Sequence, residues 1–173
     1  MNTPLPVPSI PLDLHICLEK YQAGAWNPVD DIELIEDVDG ELFPDYPELI
    51  LREKHDLFKF LAGIEVRDAQ SRYPIEITPI SALRGLPEDM NAYLQQFARA
   101  YNSPIQSWLT LQEIQDGIDT LEHQLRHSID PHNKKYPTTY AEFEPDFQEI
   151  LQQMRVLALD TADSNVRIVF WFD

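Results

Sequence analysis

The sequence predicts an α+β fold in which a small antiparallel sheet contains both the N-terminal and the C-terminal strand and packs with about four helices. Residues 12–21 alternate between apolar and polar side chains, as a half-buried strand does. Residues 166–173 are apolar on both faces and rich in β-branched and aromatic side chains. Such a strand lies inside a sheet that is covered on both sides. We therefore expect the two terminal strands to lie side by side in the core.

The segments near the first strand predict turns and a partner strand. Residues 22–25 read as a turn, so that either 26–29 or 32–38 returns as the second strand of a hairpin. Residues 43–47 contain two prolines and are expected to be irregular. Residues 73–80 are β-branched but also contain two prolines, so they form at best an edge strand.

Helical periodicity dominates the middle of the chain. Pro87 suits the first turn of a helix, and Thr110 with Glu113 forms a capping box. The predicted helices cover residues 53–64, 87–100, 110–127 and 143–159.

Length and composition predict one domain. We expect residues 1–11 to form a proline-rich, extended lead-in and residues 12–173 to form a single α+β domain. No apolar run approaches the roughly 20 residues of a membrane span, and the N-terminus lacks the pattern of a signal peptide. The single cysteine, Cys17, is expected to be buried and reduced. We therefore expect a cytoplasmic protein, with no membrane partner.

The chain is strongly acidic. Thirty acidic and thirteen basic residues give a formal net charge of −17, which disfavours direct binding to nucleic acid. Residues 30–48 contain carboxylates and no Lys or Arg, whereas basic residues slightly outnumber acidic ones between Arg52 and Arg84. The carboxylates of the acidic segment are Asp30, Asp31, Glu33, Glu36, Asp37, Asp39, Glu41, Asp45 and Glu48.

A polar site is predicted on the sheet. His15 shares one face of the first strand with Asp13, and pairing of the terminal strands would add Arg167, Trp171 and Asp173 to that face. One interpretation is a ligand site, and a hydrolase that uses His15 as general base is another. The alternative is that these polar groups satisfy one another without any function.

Arg84 and Gly85 form the best candidate for an anion site. They precede a predicted helix N-terminus, where free amides and a guanidinium favour phosphate or carboxylate. Arg52 adds positive charge, and Trp108 is either a stacking platform or a hydrophobic staple at the next helix. The alternative for Arg84 is an ion pair with a surface carboxylate.

A metal site is considered and not favoured. His123 and His127 are four residues apart on one predicted helix, with Asp119 one turn earlier, and the following loop holds His132 and Asp130. The Glu that follows the first His of a zinc hydrolase is missing, so a solvated helix face is the preferred interpretation. We predict neither a metal nor a cofactor.

Four motifs in the same order resemble a group of small uncharacterised proteins from phage and bacterial genomes. The motifs are RxxxDLFxxLAG at residues 52–63, RGLPxD at 84–89, SWLTLxE at 107–113 and VRIVFWFD at 166–173. The chain departs from the group at His55, where Tyr is expected, and in the acidic segment. The resemblance implies a fold and a phage setting, in which the protein acts in the host cytoplasm, but no reaction. The motif residues that packing alone explains poorly are Asp13, His15, Arg52, Asp56, Arg84, Trp108, Arg167 and Asp173.

These patterns favour a binding protein over an enzyme, and they lead to two main hypotheses of function. The first is a non-enzymatic binder of a small anionic, nucleotide-like ligand, such as a host signalling molecule. The second is an inhibitor whose acidic segment engages a basic host protein by imitating nucleic acid. A hydrolase is third, and the homo-oligomeric state is left open. The predicted ligand site comprises Asp13, His15, Arg52, Asp56, Arg84, Trp108, Arg167, Trp171 and Asp173. The predicted partner-binding residues are Asp30, Asp31, Glu33, Glu36, Asp37, Asp39 and Glu41.

Overall fold

The computed structural model describes residues 13–29, 33–45, 48–52, 54–65, 75–128 and 137–173. Within these residues, five antiparallel strands form one sheet and two more form a separate hairpin. The strands are β1 (Asp13–Gln22), β2 (Ala25–Pro28), β3 (Glu33–Glu36), β4 (Leu42–Asp45), β5 (Leu49–Arg52), β6 (Gln106–Thr110) and β7 (Val166–Phe172). The helices are α1 (His55–Ala62), α2 (Ala92–Ala100), α3 (Leu111–Ser128), α4 (Tyr140–Phe143) and α5 (Pro145–Leu157).

The two terminal strands lie side by side, as predicted. β1 and β7 pair antiparallel, from Leu14 opposite Phe172 to Lys20 opposite Val166. Asp13 and Asp173 close the end of the ladder, since the amide of each donates to the carbonyl of the other at 3.0 Å. The predicted α+β class and the terminal strands of its sheet are confirmed.

Each face of the central sheet has its own apolar core. Leu14, Ile16, Ile168 and Phe170 face the larger core, which α1, α3 and α5 complete. Cys17, Val169 and Trp171 face the opposite side, which α2 covers through Leu94 and Ala98. Every residue of β7 is buried, so this strand is covered on both sides, as the sequence indicates.

The edge of β1 away from β7 is formed by two short strands in line. β2 ends with Pro28 opposite Glu19, and β5 begins with Leu49 opposite Ile16. The chain therefore leaves the sheet edge after β2 and returns to it at β5, and the facing residues of β1, Glu19 and Ile16, are only three positions apart. Between these points lies the hairpin of β3 and β4, which pair with each other. We call residues 30–47 the acidic insertion.

Two helix boundaries differ from the predictions. Helix α2 begins at Ala92 rather than near Pro87, because the Asn91 side chain accepts the amides of Tyr93 and Leu94 and so caps the helix. The last predicted helix begins at Pro145 rather than at Phe143, because Pro145 lacks an amide donor and begins a new helix, and the short helix α4 lies just before it.

Two strand assignments also change. The segment that was expected to be irregular contains β4, whose Pro44 is opposite Leu34 in a two-stranded hairpin, where an edge strand tolerates proline. Residues 75–80 of the predicted edge strand are not extended in a sheet. Residues 73–74, like the lead-in 1–11, lie outside the described residues.

Candidate functional site

A buried ion pair lies on the α2 side of the sheet. Arg167 on β7 is opposite Glu19 on β1, and both side chains are almost fully buried. Nε of Arg167 donates to Oε2 of Glu19 at 2.7 Å. Nη2 is also 2.7 Å from this oxygen but lacks hydrogen-bonding geometry. Nη1 donates to Oδ1 of Asp89 at 2.9 Å, and the Asn91 amide donates to Oε1 of Glu19 at 2.9 Å. The guanidinium is therefore held by two carboxylates of the chain itself.

Two tryptophan rings and two guanidinium groups lie close together on this part of the sheet. The Arg167 guanidinium carbon lies 3.9 Å from the centre of the Trp26 ring and 5.6 Å from that of Trp108. The Arg84 guanidinium carbon is 4.6 Å from the centre of the same Trp108 ring. Cation–π contacts of this kind stabilise both partners when they are partly desolvated. Trp108 is thus a strand residue near two cations, not a staple at a helix start.

Arg84 lies along the outer edge of β6, which is the last strand of the sheet on that side among the described strands. Its amide donates to the Ser107 hydroxyl at 3.1 Å, its Nη1 donates to the Trp108 carbonyl at 3.2 Å, and the Gly85 amide donates to the Gln106 carbonyl at 3.0 Å. Both η nitrogens also bond the Glu113 carboxylate. The sequence placed Arg84 and Gly85 ahead of a helix N-terminus, and that placement is wrong because the helix starts only at Ala92.

Glu113 is the acceptor that holds Arg84 in place. Burial, the largest single effect on this carboxyl, acts to raise its pKa. The hydrogen bonds from Arg84 and Thr110, together with the Arg84 charge, outweigh burial and lower the pKa below its ordinary value. The same carboxylate accepts the Thr110 amide at 2.9 Å, and the Glu113 amide donates to the Thr110 hydroxyl at 3.2 Å. The predicted capping box is confirmed.

His15 lies in a second cluster at the other end of the strands. Its Nδ1 is 3.0 Å from Oε2 of Glu48, and its Nε2 is 3.7 Å from Oδ2 of Asp173. The imidazole stacks on Trp171 with ring centres 5.6 Å apart. Tyr101 donates to Glu48 at 3.1 Å. Burial, followed by the charge of Glu48, raises the pKa of Tyr101 to about 12.

Cys17 adds no nucleophile to this cluster. It is buried, as predicted, and burial is the main cause that raises the pKa of its thiol well above the usual range. The charges of Glu48 and Glu19 act in the same direction. A thiol reacts as its thiolate, so Cys17 is a packing residue at neutral pH.

The structure divides the predicted ligand site into separate groups. His15 is opposite Trp171 whereas Arg167 is opposite Glu19. This places His15 and Arg167 four positions apart, or roughly 13 Å along the sheet. Two groups form: His15, Trp171 and Asp173 in one, Arg84, Trp108 and Arg167 in the other.

Three predicted ligand residues belong to neither group. Arg52 is mostly exposed, and its Nε is 3.8 Å from a carboxylate oxygen of Asp13. Asp56 is buried in α1.

The sequence did not predict which side chains bind Arg167 and His15. Glu19, Asp89 and Trp26 surround Arg167, and Glu48 holds His15. Glu19 could have been found, because antiparallel pairing of the two terminal strands places it directly opposite Arg167. Asp89 and Trp26 come from a loop and from β2, and nothing local in the sequence brings them together.

The acidic insertion carries exposed carboxylates around its hairpin turn. Glu36, Asp37, Asp39 and Glu41 are exposed, and Val38 between them is fully exposed. Oδ1 of Asp37 accepts the amides of Asp39 and Glu41, both at 2.9 Å, so this turn has a defined shape. Of the other predicted partner-binding residues, Asp30, Asp31 and the Glu33 side chain lie outside what the structure describes.

Other basic residues of the described ranges also pair within the chain. Lys20 lies 2.6 Å from Asp160, and Lys59 lies 2.9 Å from Glu65. Lys54 pairs with Asp146 of α5. These ion pairs neutralise basic side chains within the chain. Because acidic residues outnumber basic ones, the net charge that remains is negative.

A cavity of about 270 Å³ lies between α3 and residues 78–80. Its polar lining consists of carboxylates and hydroxyl groups, and the lining includes no basic residue. The lining residues are Thr78, Pro79, Ile80, Glu113, Asp116, Gly117 and Thr120. An anionic ligand would find no complementary charge in this cavity.

Comparison with known proteins gives no further guide to function. No protein-family model, no curated protein and no solved structure matches this chain. No helix in the part of the chain that the structure describes is long and apolar enough to cross a membrane.

Proposed function

We propose that this chain is an interaction protein whose acidic insertion binds a basic partner protein. The observation that carries the proposal is a hairpin, inserted at the sheet edge, that holds four exposed carboxylates around the fully exposed Val38. A cluster of exposed carboxylates attracts a cationic surface and speeds its association. Val38, which lies among these carboxylates, supplies an apolar contact for the partner.

The position of the hairpin supports this proposal. The insertion leaves and rejoins the sheet three positions apart on β1, so it is an addition to the sheet rather than a part of its ladder. β3 and β4 pair with each other and, among the described strands, with no other. A partner can therefore contact the hairpin without any rearrangement of the sheet.

The contacts of the cations favour this function over the small anionic ligand. Arg84 and Arg167, which were expected to bind an anion, are held by Glu113, Glu19 and Asp89. An anion would have to displace these carboxylates, two of which belong to ion pairs that are wholly or partly buried. The nucleotide-like ligand and the phage setting stay predictions.

The test measures binding to purified basic nucleic-acid-binding proteins, such as nucleases, by titration at low and at high salt. We expect binding that weakens steeply between about 50 and 200 mM NaCl, because opposite charges are screened. The triple variant Glu36→Gln, Asp39→Asn, Glu41→Gln should lose most of this binding. It keeps Asp37, whose carboxylate shapes the turn.

Two controls separate the acidic insertion from the rest of the protein. Arg84→Met should leave partner binding unchanged, because Arg84 lies on the β6 edge. A short duplex DNA should compete with the protein for the same partner if the insertion imitates a phosphate track. Binding that survives both the triple variant and high salt would contradict the proposal.

A further inference from the structure

The exposed face of α3 carries two histidines that the proposed function does not use. His123 and His127 are both exposed and lie one helical turn apart. Their rings are stacked, with centres 4.0 Å apart and an interplanar angle of 29°. Residues four apart on a helix project from the same face, so both imidazoles lie side by side on one part of the surface.

A hydrogen bond sets the tautomer of the second ring. Nδ1 of His127 lies 2.8 Å from the carbonyl oxygen of His123. A carbonyl only accepts hydrogen bonds, so Nδ1 carries the proton and the lone pair of the neutral ring is on Nε2. Histidines that bind metals are commonly oriented in this way, with one nitrogen donating to a carbonyl and the other coordinating the ion.

We infer that His123 and His127 form a two-imidazole site for a divalent transition-metal ion such as Cu²⁺, Ni²⁺ or Zn²⁺. Imidazole nitrogen suits these ions, whereas the carboxylates elsewhere on the surface suit Ca²⁺ and Mg²⁺. No group of three or more potential ligands occurs among the described residues. Water or a partner molecule therefore completes the coordination, and the ion is bound reversibly at the surface.

The experiment titrates the full chain with NiCl₂ alone, followed by calorimetry, in a buffer that contains an excess of CaCl₂ to occupy carboxylates. We expect one ion to bind per chain. His123→Gln or His127→Gln alone should weaken binding by about a hundredfold, because the second ligand then no longer acts within the same molecule. Both side chains are exposed, so neither substitution removes a core contact.

Asp116→Asn is the matched control, because it removes an exposed carboxylate from the same helix. It should leave the affinity for Ni²⁺ unchanged. Lowering the pH from about 7.5 to 5.5 should weaken binding, because protons compete with the metal for the imidazole nitrogens. The inference is overturned if the two histidine variants bind Ni²⁺ as the parent does, or if the parent shows no saturable binding up to about 1 mM Ni²⁺, a ligand range typical of weak association.

Discussion

At the scale of single residues, the buried pair of Arg167 and Glu19 is costly to break. Arg167→Met leaves the Glu19 carboxylate without its cation in a place that water does not reach. We expect a loss of about 3–5 kcal/mol in the free energy of unfolding, measured by urea denaturation. The double variant Arg167→Met, Glu19→Gln should recover part of that loss, because no buried charge is left. A loss below about 1 kcal/mol for Arg167→Met would show that Glu19 finds other compensation.

The ion pair of Arg84 and Glu113 makes the free energy of unfolding depend on pH. Because the pKa of Glu113 is lowered in the fold, its ion pair stabilises the protein above the pKa of glutamate in the unfolded chain, about 4.3. That contribution is lost as the pH falls through the lower, folded value.

Arg84→Met should therefore reduce stability by about 1 kcal/mol at pH 7, and by progressively less as the pH falls below about 4.3. The measurement is the urea midpoint of both proteins between pH 7 and 3. Arg126→Met, a change at an exposed residue of α3, is the control. A difference between parent and Arg84→Met that stays constant with pH would mean that Arg84 acts through its contact with Trp108 rather than through Glu113.

At the scale of elements, Gly117 sets the distance between α3 and the segment before α2. A Cβ atom at this position would lie 2.6 Å from Cγ1 of Ile80, which is too close for two carbon atoms. Gly117→Ala should therefore cost about 1–3 kcal/mol through overpacking, partly offset by the roughly 1 kcal/mol that alanine adds to a helix.

Removal of the obstructing atoms should reverse the sign of this effect. In the background of Ile80→Ala, Gly117→Ala should stabilise the protein by up to about 1 kcal/mol, since only the helix preference is left. The measurement is the unfolding free energy of the parent, both single variants and the double variant. If Gly117→Ala destabilises the protein equally in both backgrounds, the Ile80 side chain is not the reason that position 117 needs glycine.

The elements also show how far the sequence predicts the structure. The alternation in β1, the two apolar faces of β7 and the capping box of α3 were sufficient to place these elements. β5 and β6 were missed because strands of four and five residues are too short to show a period, and pairing with β1 and β7 forms them.

The polar groups were predicted less well, for a related reason. Glu19 and Arg167 are 148 positions apart in the chain, and Asp89 is 78 positions from Arg167. Local patterns show that a charged side chain lies on a buried face, but only the tertiary fold shows which side chain neutralises it. The same limit applies to His15 and Glu48, because β5 had to be known first.

At the scale of the whole molecule, the net charge of −17 opposes the compact state by self-repulsion. Added salt screens repulsion between the uncompensated carboxylates, and it also screens the favourable ion pairs. Because acidic residues outnumber basic ones by thirty to thirteen, we expect repulsion to dominate. The melting temperature should therefore rise by several degrees between about 10 and 500 mM NaCl, where each kcal/mol corresponds to about 2–4 °C.

The triple variant Glu36→Gln, Asp39→Asn, Glu41→Gln lowers the negative charge by three and connects this prediction to the proposed function. It should melt higher than the parent at low salt, and its melting temperature should rise less with NaCl, because the repulsion that salt would screen is already reduced. Thermal denaturation followed by circular dichroism gives both values. If salt lowers the melting temperature of the parent, the internal ion pairs outweigh the repulsion. The acidic insertion would then carry charge without any cost to the fold, and its carboxylates would need no functional explanation.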